Sequence, residues 1–302
     1  MTTGSNSLSH KRRYLRLCIF TLVVILFAYL VVNFALAWRY VNALTKPACT
    51  WSPSFTPEAQ QPQEHWLITS DGHKLRFWYY PPQNGAVILA LGGLGGSLGS
   101  NLPPVEFLID EGYGVLQIDS RACADPPALV TLGYDEEQDA SAGLEFLKGQ
   151  PEVRRIGLIG FSMGGVTAIR TAERHPEVMA VVAEGGYYNL GDHIVKPENR
   201  SSLTRKAFLN SIAVLYWLQT GVNPWTVSPI DDLPGISPRP IFLIYGEHEL
   251  SAGRGDLQYA AASVPKEIWI VPGGNHGTNH ITSPQEYEYR VLDFFRLNLT
   301  AP

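Results

Sequence analysis

Cysteine and methionine are scarce in this chain, with three of each among 302 residues. Three cysteines cannot build a disulfide framework. Cys18 lies in a long apolar run, so only Cys49 and Cys123 are available to pair in an oxidising compartment, and nothing in the sequence brings them together. Metal-ligand spacings are missing too: His276 and His280 are four apart, but in a glycine-rich loop rather than on a helix face, so neither metal nor cofactor is expected. Basic residues are also in deficit. Lysine and arginine number 23 against 28 acidic residues, and with six basic and one acidic residue in positions 1–63, the rest of the chain carries 17 basic against 27 acidic. A strongly acidic remainder excludes a nucleic-acid partner, because phosphate binding needs a basic surface. No internal repeat or low-complexity tract is present, and a 45% hydrophobic, 17% charged composition is ordinary for a globular protein.

One long hydrophobic run stands out. Leu17 to Trp38 spans 22 residues without a charge, which as a helix is about 33 Å, enough to cross a hydrocarbon core of about 30 Å. Lys11, Arg12, Arg13 and Arg16 precede it, whereas only Arg39 and Lys46 follow closely. That bias predicts a single-pass anchor over 17–38, a cytoplasmic basic tail over 1–16 and the remaining chain outside. The alternative is a secreted protein released by signal cleavage, for which Ala35-Leu36-Ala37 would serve as the processing site, although the run exceeds a usual signal core. Pro47, Pro53, Pro57 and Pro62 make residues 39–63 an extended spacer holding a domain at 64–302 off the membrane.

From His65 the pattern changes. HWLIT and KLRFWYY, separated by Ser70-Asp71-Gly72-His73, predict a hairpin. Six short, nearly continuous apolar runs follow, at 86–91, 114–119, 155–160, 179–184, 240–245 and 267–272. Such runs are strands buried on both faces of a parallel sheet. Helical spacing occupies 104–111, 136–147, 165–174, 257–262 and 284–297. The alternation predicts an α/β fold with helices on both faces of a mainly parallel sheet. Residues 187–236 interrupt it, since no strand appears there and Lys206–Gln219 reads as an apolar helix. That helix either packs on the sheet edge or forms a lid insertion that touches the bilayer.

The pattern G-x-S-x-G occurs twice, around Ser97 and around Ser162. Ser162 directly follows the run 155–160 and precedes helical spacing, so it sits on a strand-to-helix turn. Such a turn forces its central residue into a strained conformation and lifts the side chain above the sheet. The Met163 amide then opens a helix and can face an oxyanion. Ser97 lies in a loop rich in exposed amides, where Leu94 offers the second oxyanion donor. A serine hydroxyl needs a base, and the base needs a group that fixes its tautomer. Of the downstream histidines at 175, 193, 248, 276 and 280, His276 follows the last strand in a small-residue loop and ranks first, with His280 second. The carboxylate belongs in the loop after 240–245, where Glu249 is preferred to Glu247. Asp119 and Arg121 read as a loop ion pair or cap.

These residues carry a resemblance. LGGLGGS (91–97), GYGVLQIDSR (112–121), RIGLIGFSMGG (155–165), YGEHE (245–249) and GGNHG (273–277) resemble the α/β-hydrolase superfamily, and within it the membrane-anchored Bem46-like and dienelactone-hydrolase-like groups. The resemblance implies Ser162 as nucleophile, His276 as base, Glu249 as acid, and the Leu94 and Met163 amides as the oxyanion hole. The chain departs from the family pattern at Gly92-Gly93, where His-Gly is frequent, and at Glu249, where Asp is usual. The expected function is a serine hydrolase acting through an acyl-enzyme on an ester, thioester or amide in a small-molecule, acyl or peptide substrate. An acyltransferase using the same serine, or a non-catalytic tethered binding protein of the same fold, are the alternatives.

Overall fold

A computed structural model describes residues 5–49, 61–98, 104–195 and 202–299. Among them are eight strands, β1 (Gln63–Ile68), β2 (Lys74–Tyr80), β3 (Ala86–Leu91), β4 (Gly114–Ile118), β5 (Arg155–Phe161), β6 (Val178–Glu184), β7 (Ile241–Gly246) and β8 (Lys266–Val271). They form one sheet in the order β1-β2-β4-β3-β5-β6-β7-β8. The β1–β2 and β2–β4 pairings are antiparallel and the rest parallel. Every residue of β3, β4 and β7 is buried, which is why these strands read as continuous or nearly continuous apolar runs, broken in β4 by Gln117 alone.

Helices cover both faces. They are α1 (Ser5–Thr45), α2 (Glu106–Asp110), α3 (Glu136–Lys148), α4 (Met163–Arg174), α5 (Leu190–Val195), α6 (Leu203–Thr220), α7 (Pro229–Asp232), α8 (Leu250–Gly253), α9 (Gly255–Ala261), α10 (Asn279–Thr282) and α11 (Pro284–Leu299). One core joins Leu144 of α3 and Ile169 of α4 to Leu89 and Leu158, with Tyr259 of α9 packed against it. The opposite core sets Leu108 of α2 and Phe295 of α11 against Ile88 and Ile159. Strand ends carrying chemistry therefore emerge along one carboxyl edge, between the two helical layers.

A third core lies over that edge, and it corrects two expectations. The helix does not end with the apolar run at Trp38. Helix α1 runs on to Thr45, so residues 39–45 of the expected spacer are helical, while 50–60 lie outside the described residues. The C-terminal part of α1 is docked rather than held away. Asn33, Ala37, Val41 and Thr45, spaced by four along one stripe, are all buried against the domain. Ser211 Oγ donates to Asn33 Oδ1 (2.9 Å), and Gln219 Nε2 donates to Asn42 Oδ1 (3.1 Å) and Thr45 Oγ1 (2.8 Å). The Val130 amide donates to the Thr45 carbonyl (2.9 Å), and a Cys49–Cys123 disulfide follows at once. The physical reason is complementarity: α6 offers polar partners to a stripe whose residues are small or polar.

Helix α6 likewise does not lie on the sheet edge. It packs on α1 and α5, with Ile212, Ala213, Leu215 and Tyr216 joined to Met163 and Val166 of α4 and to Ala37 and Val41 of α1. Ser202 Oγ caps its first turn at the Arg205 amide (3.2 Å), and Gly221, in the left-handed region, ends it. Toward its N-terminal side α1 is different, for its large apolar residues from Tyr14 to Phe34 stay exposed. Residues Arg13–Thr45 are long and apolar enough to be a membrane anchor or a signal sequence.

Candidate active site

Ser162 sits between β5 and α4 with φ 56° and ψ −116°, a left-handed φ that is costly for a residue with a side chain. The turn is held by the Ser162 amide, which donates to the Glu184 carbonyl (2.7 Å) on neighbouring β6. It is also held by close backbone approach. A Cβ on Gly164 would strike the carbonyls of Leu91 and Gly92, so the first turn of α4 and the loop after β3 touch through a glycine. That contact brings Leu94 and Met163 to the same cavity as Ser162. The first amides of a helix have no intrahelical partner and sit at the positive end of its dipole, so the Met163 N–H suits an oxyanion.

His276 and Glu249 meet Ser162 across the carboxyl edge. His276 Nε2 is 3.0 Å from Ser162 Oγ, and His276 Nδ1 is 2.7 Å from Glu249 Oε2. Glu249 is buried in the turn after β7, and its other oxygen accepts from the Gly246 amide (2.8 Å) and from Asn279 Nδ2 (2.9 Å). Gly185 makes room for the pair: a Cβ there would lie 3.0 Å from Glu249 Oε2 and 3.1 Å from His276 Nδ1. Phe161 supports the imidazole from beside it, ring centroids 5.0 Å apart.

The charges are arranged for a base. Hydrogen bonding to Glu249 raises the His276 pKa from its ordinary 6.5, against the opposing effect of desolvation. Burial pushes Glu249 upward, yet its hydrogen bonds from His276, Gly246 and Asn279 outweigh that and leave it below the usual carboxylate value, hence ionised. Behind it stands a second buried carboxylate that the sequence reading missed. Glu184 accepts from Asn279 Nδ2 (2.9 Å) and from the Tyr287 hydroxyl (2.7 Å), and burial raises its pKa. Asn279 thus donates to both carboxylates. The available signal was a charged residue ending the apolar run 179–184, at the functional edge of the sheet.

The other expected residues fall elsewhere. Ser97 is fully buried, so the second G-x-S-x-G is part of the loop after β3 and not a reactive centre. Glu247 accepts from the Gly273 amide (2.9 Å), and His280 pairs with Glu288 (2.9 Å). Asp119 and Arg121 do not pair with each other. Asp119 binds Arg76 (3.2 Å), whereas Arg121 binds Asp139 and Asp71 (2.8 Å each), because Arg121 points back toward α3 and the β1–β2 turn.

Two cavities meet at Ser162. The larger, about 380 Å³, is mainly apolar and includes Leu94, Leu132, Leu190 and Ile194. The smaller, about 240 Å³, is bounded by His248, Asn275 and His276. Ser162, Tyr187 and His193 belong to both.

A family model described as X-Pro dipeptidyl-peptidase (S15 family) matches residues 42–224. The chain belongs to that family. This S15-family match takes in Leu94, Ser162 and Met163 and stops before Glu249 and His276. Over 192 residues the chain is 29% identical to the uncharacterised protein PA2218 of Pseudomonas aeruginosa, covering 46% of this chain and 52% of that one, so it spans about half the length of that relative. The uncharacterised protein MT2364 of Mycobacterium tuberculosis is 29% identical over 250 residues, 77% of each chain. Among solved structures, the Pyrococcus furiosus esterase Pf2001 superposes with a TM-score of 0.66 at 25% identity, over 84% of this chain and 98% of its own. Pyrococcus horikoshii acylaminoacyl peptidase shares the fold, with a TM-score of 0.60 at 18% identity over 82% of this chain and 45% of that one. This S15-family chain is accordingly a member of the α/β-hydrolase superfamily, in a family of hydrolases.

Proposed function

We propose that the domain over 64–302 is a serine hydrolase that cleaves acyl esters or thioesters. The observation that carries the reading is the relay in which His276 stands 3.0 Å from Ser162 Oγ and 2.7 Å from an ionised, buried Glu249. Ser162 Oγ attacks the substrate carbonyl carbon while His276 Nε2 takes its proton. The Leu94 and Met163 amides receive the oxyanion. The bond to the leaving group then breaks, His276 returns the proton to the departing oxygen or sulfur, and the acyl group remains on Ser162. Water, deprotonated by the same imidazole, releases the acid and restores the serine. Glu249 holds the Nδ1–H tautomer and offsets the imidazolium charge.

The family description names a dipeptidyl-peptidase. Gripping a protonated peptide terminus at the pocket needs a carboxylate free to face it. Among the described residues lining the two cavities at Ser162 the carboxylate is Glu249, already bonded to His276. That favours an acyl substrate over a dipeptide. We further read α1 as a retained anchor with its basic end cytoplasmic and the domain outside, where the Cys49–Cys123 disulfide persists. A fluorophosphonate probe tests the site: wild type is labelled, Ser97→Ala retains labelling and Ser162→Ala loses it. Labelling that survives Ser162→Ala overturns the assignment. Product analysis with added alcohols separates transfer to water from transfer to an acceptor.

A further inference from the structure

The larger cavity is not closed by the hydrolase domain alone, since Tyr40 and Leu44 of α1 form part of its wall. Helix α6 contributes Arg205, Phe208, Leu209 and Ile212, one face at i, i+3, i+4 and i+7. The two helices run side by side in the same direction. Tyr29 bonds Thr204 near the start of α6, Asn33 bonds Ser211, and Asn42 and Thr45 bond Gln219 near its end. From Leu17, the first residue after the basic tail, to Ala37 α1 rises about 30 Å, one hydrocarbon thickness, and its large apolar side chains from Leu17 to Phe27 and from Leu30 to Leu36 are exposed. Tyr29 lies about 18 Å along that rise, so the start of α6, bonded to it, sits within the outer leaflet. Leu203 is 86% exposed at that level, and Arg205 and Lys206 follow it, as a segment touching acyl chains and headgroups requires. From Arg205 to Ile212 the helix climbs about 10 Å, so the cavity wall starts in the outer leaflet and leads up to Ser162.

We propose that α1 is half of an acyl-chain site as well as an anchor: the cavity takes the hydrocarbon tail of a bilayer-resident ester, entering between α1 and α6. The ester carbonyl stops at Ser162 and the polar leaving group faces the smaller cavity beside His248 and Asn275. This rests on Ser162 as nucleophile. Each methylene taken from water into the cavity raises kcat/KM by up to about fourfold, equivalent to about 0.8 kcal/mol.

The test uses the full chain in dioleoylphosphatidylcholine vesicles with p-nitrophenyl butyrate, octanoate and palmitate. Octanoate is expected to exceed butyrate in kcat/KM by at least about twentyfold over its four added methylenes. Leu44→Trp fills the cavity and is expected to cut that ratio about tenfold, while Leu44→Ala moves the preference toward palmitate. Palmitate ester supplied in the protein's own vesicles is expected to turn over at least about tenfold faster than the same amount on albumin, as access from the bilayer requires. Fluorophosphonate labelling of each variant shows that the site has formed. A labelled enzyme with no gain from butyrate to octanoate, or with the ratio unmoved in both Leu44 variants, overturns the acyl site. Equal rates from vesicles and albumin overturn entry from the bilayer. Absent labelling together with absent butyrate turnover overturns the nucleophile instead, and the acyl site with it.

Discussion

Replacing Glu249 by glutamine removes one charge and keeps the shape, and the structure dictates which way the new amide must face. Oε1 of Glu249 accepts from two donors, Gly246 N–H and Asn279 Nδ2, while Oε2 meets only His276 Nδ1. The glutamine oxygen must therefore occupy the Oε1 position. Turning it the other way forfeits two hydrogen bonds of about 1 kcal/mol each, roughly a thirtyfold preference. The amide NH2 then faces His276 Nδ1 and donates to it. The ring proton moves to Nε2, which can no longer accept from Ser162. A wrong tautomer in a triad of this type costs up to about 10⁴ in kcat, so Glu249→Gln is expected to lose about 10³- to 10⁴-fold. The pH profile moves as well. The base works only when neutral, so wild-type activity falls as pH drops through the raised His276 pKa, and the acidic limb lies above 6.5. Removing Glu249 takes away the main cause of the elevation and shifts the limb downward. Measuring kcat and kcat/KM on p-nitrophenyl butyrate from pH 5 to 9 checks both. More than a tenth of wild-type kcat, or an unmoved acidic limb, refutes the reasoning.

Other outcomes follow from particular contacts. Gly164→Ala drives a Cβ into the carbonyls of Leu91 and Gly92, and is expected to cost about 1–3 kcal/mol in stability and more than tenfold in kcat; thermal unfolding and esterase assays read the two losses separately. Asn279→Ala strips a donor from both Glu184 and Glu249, and a fall of about 2–4 kcal/mol in stability is expected, measured by denaturant titration of the vesicle- or detergent-borne protein. Reducing Cys49–Cys123, which closes a separation of 74 residues, is expected to lower stability by about 2–4 kcal/mol, and an unchanged melting temperature in dithiothreitol would contradict it.

Much of the fold could be read from the chain because the central strands are buried on both faces. That burial produces continuous apolar runs such as 86–91 and 241–245. The relay was legible for a related reason. Chain order and the loops after β7 and β8 bring Glu249 and His276 to the edge where Ser162 projects. Docking of α1 was not legible, since the stripe Asn33, Ala37, Val41 and Thr45 is small or polar and lies within or just after an apolar run. Its partners on α6 lie more than 170 residues away in sequence. The Cys49–Cys123 pair depends on the same docking, which no local pattern encodes.

The central claim, an acyl-enzyme on Ser162, is tested most directly by mass spectrometry of protein acid-quenched during turnover of p-nitrophenyl butyrate. The account predicts a butyryl adduct on the tryptic peptide from Ile156 to Arg170, absent in Ser162→Ala and in His276→Ala. An adduct on the peptide from Phe77 to Arg121, which holds Ser97, or turnover with no adduct on any peptide, would contradict it.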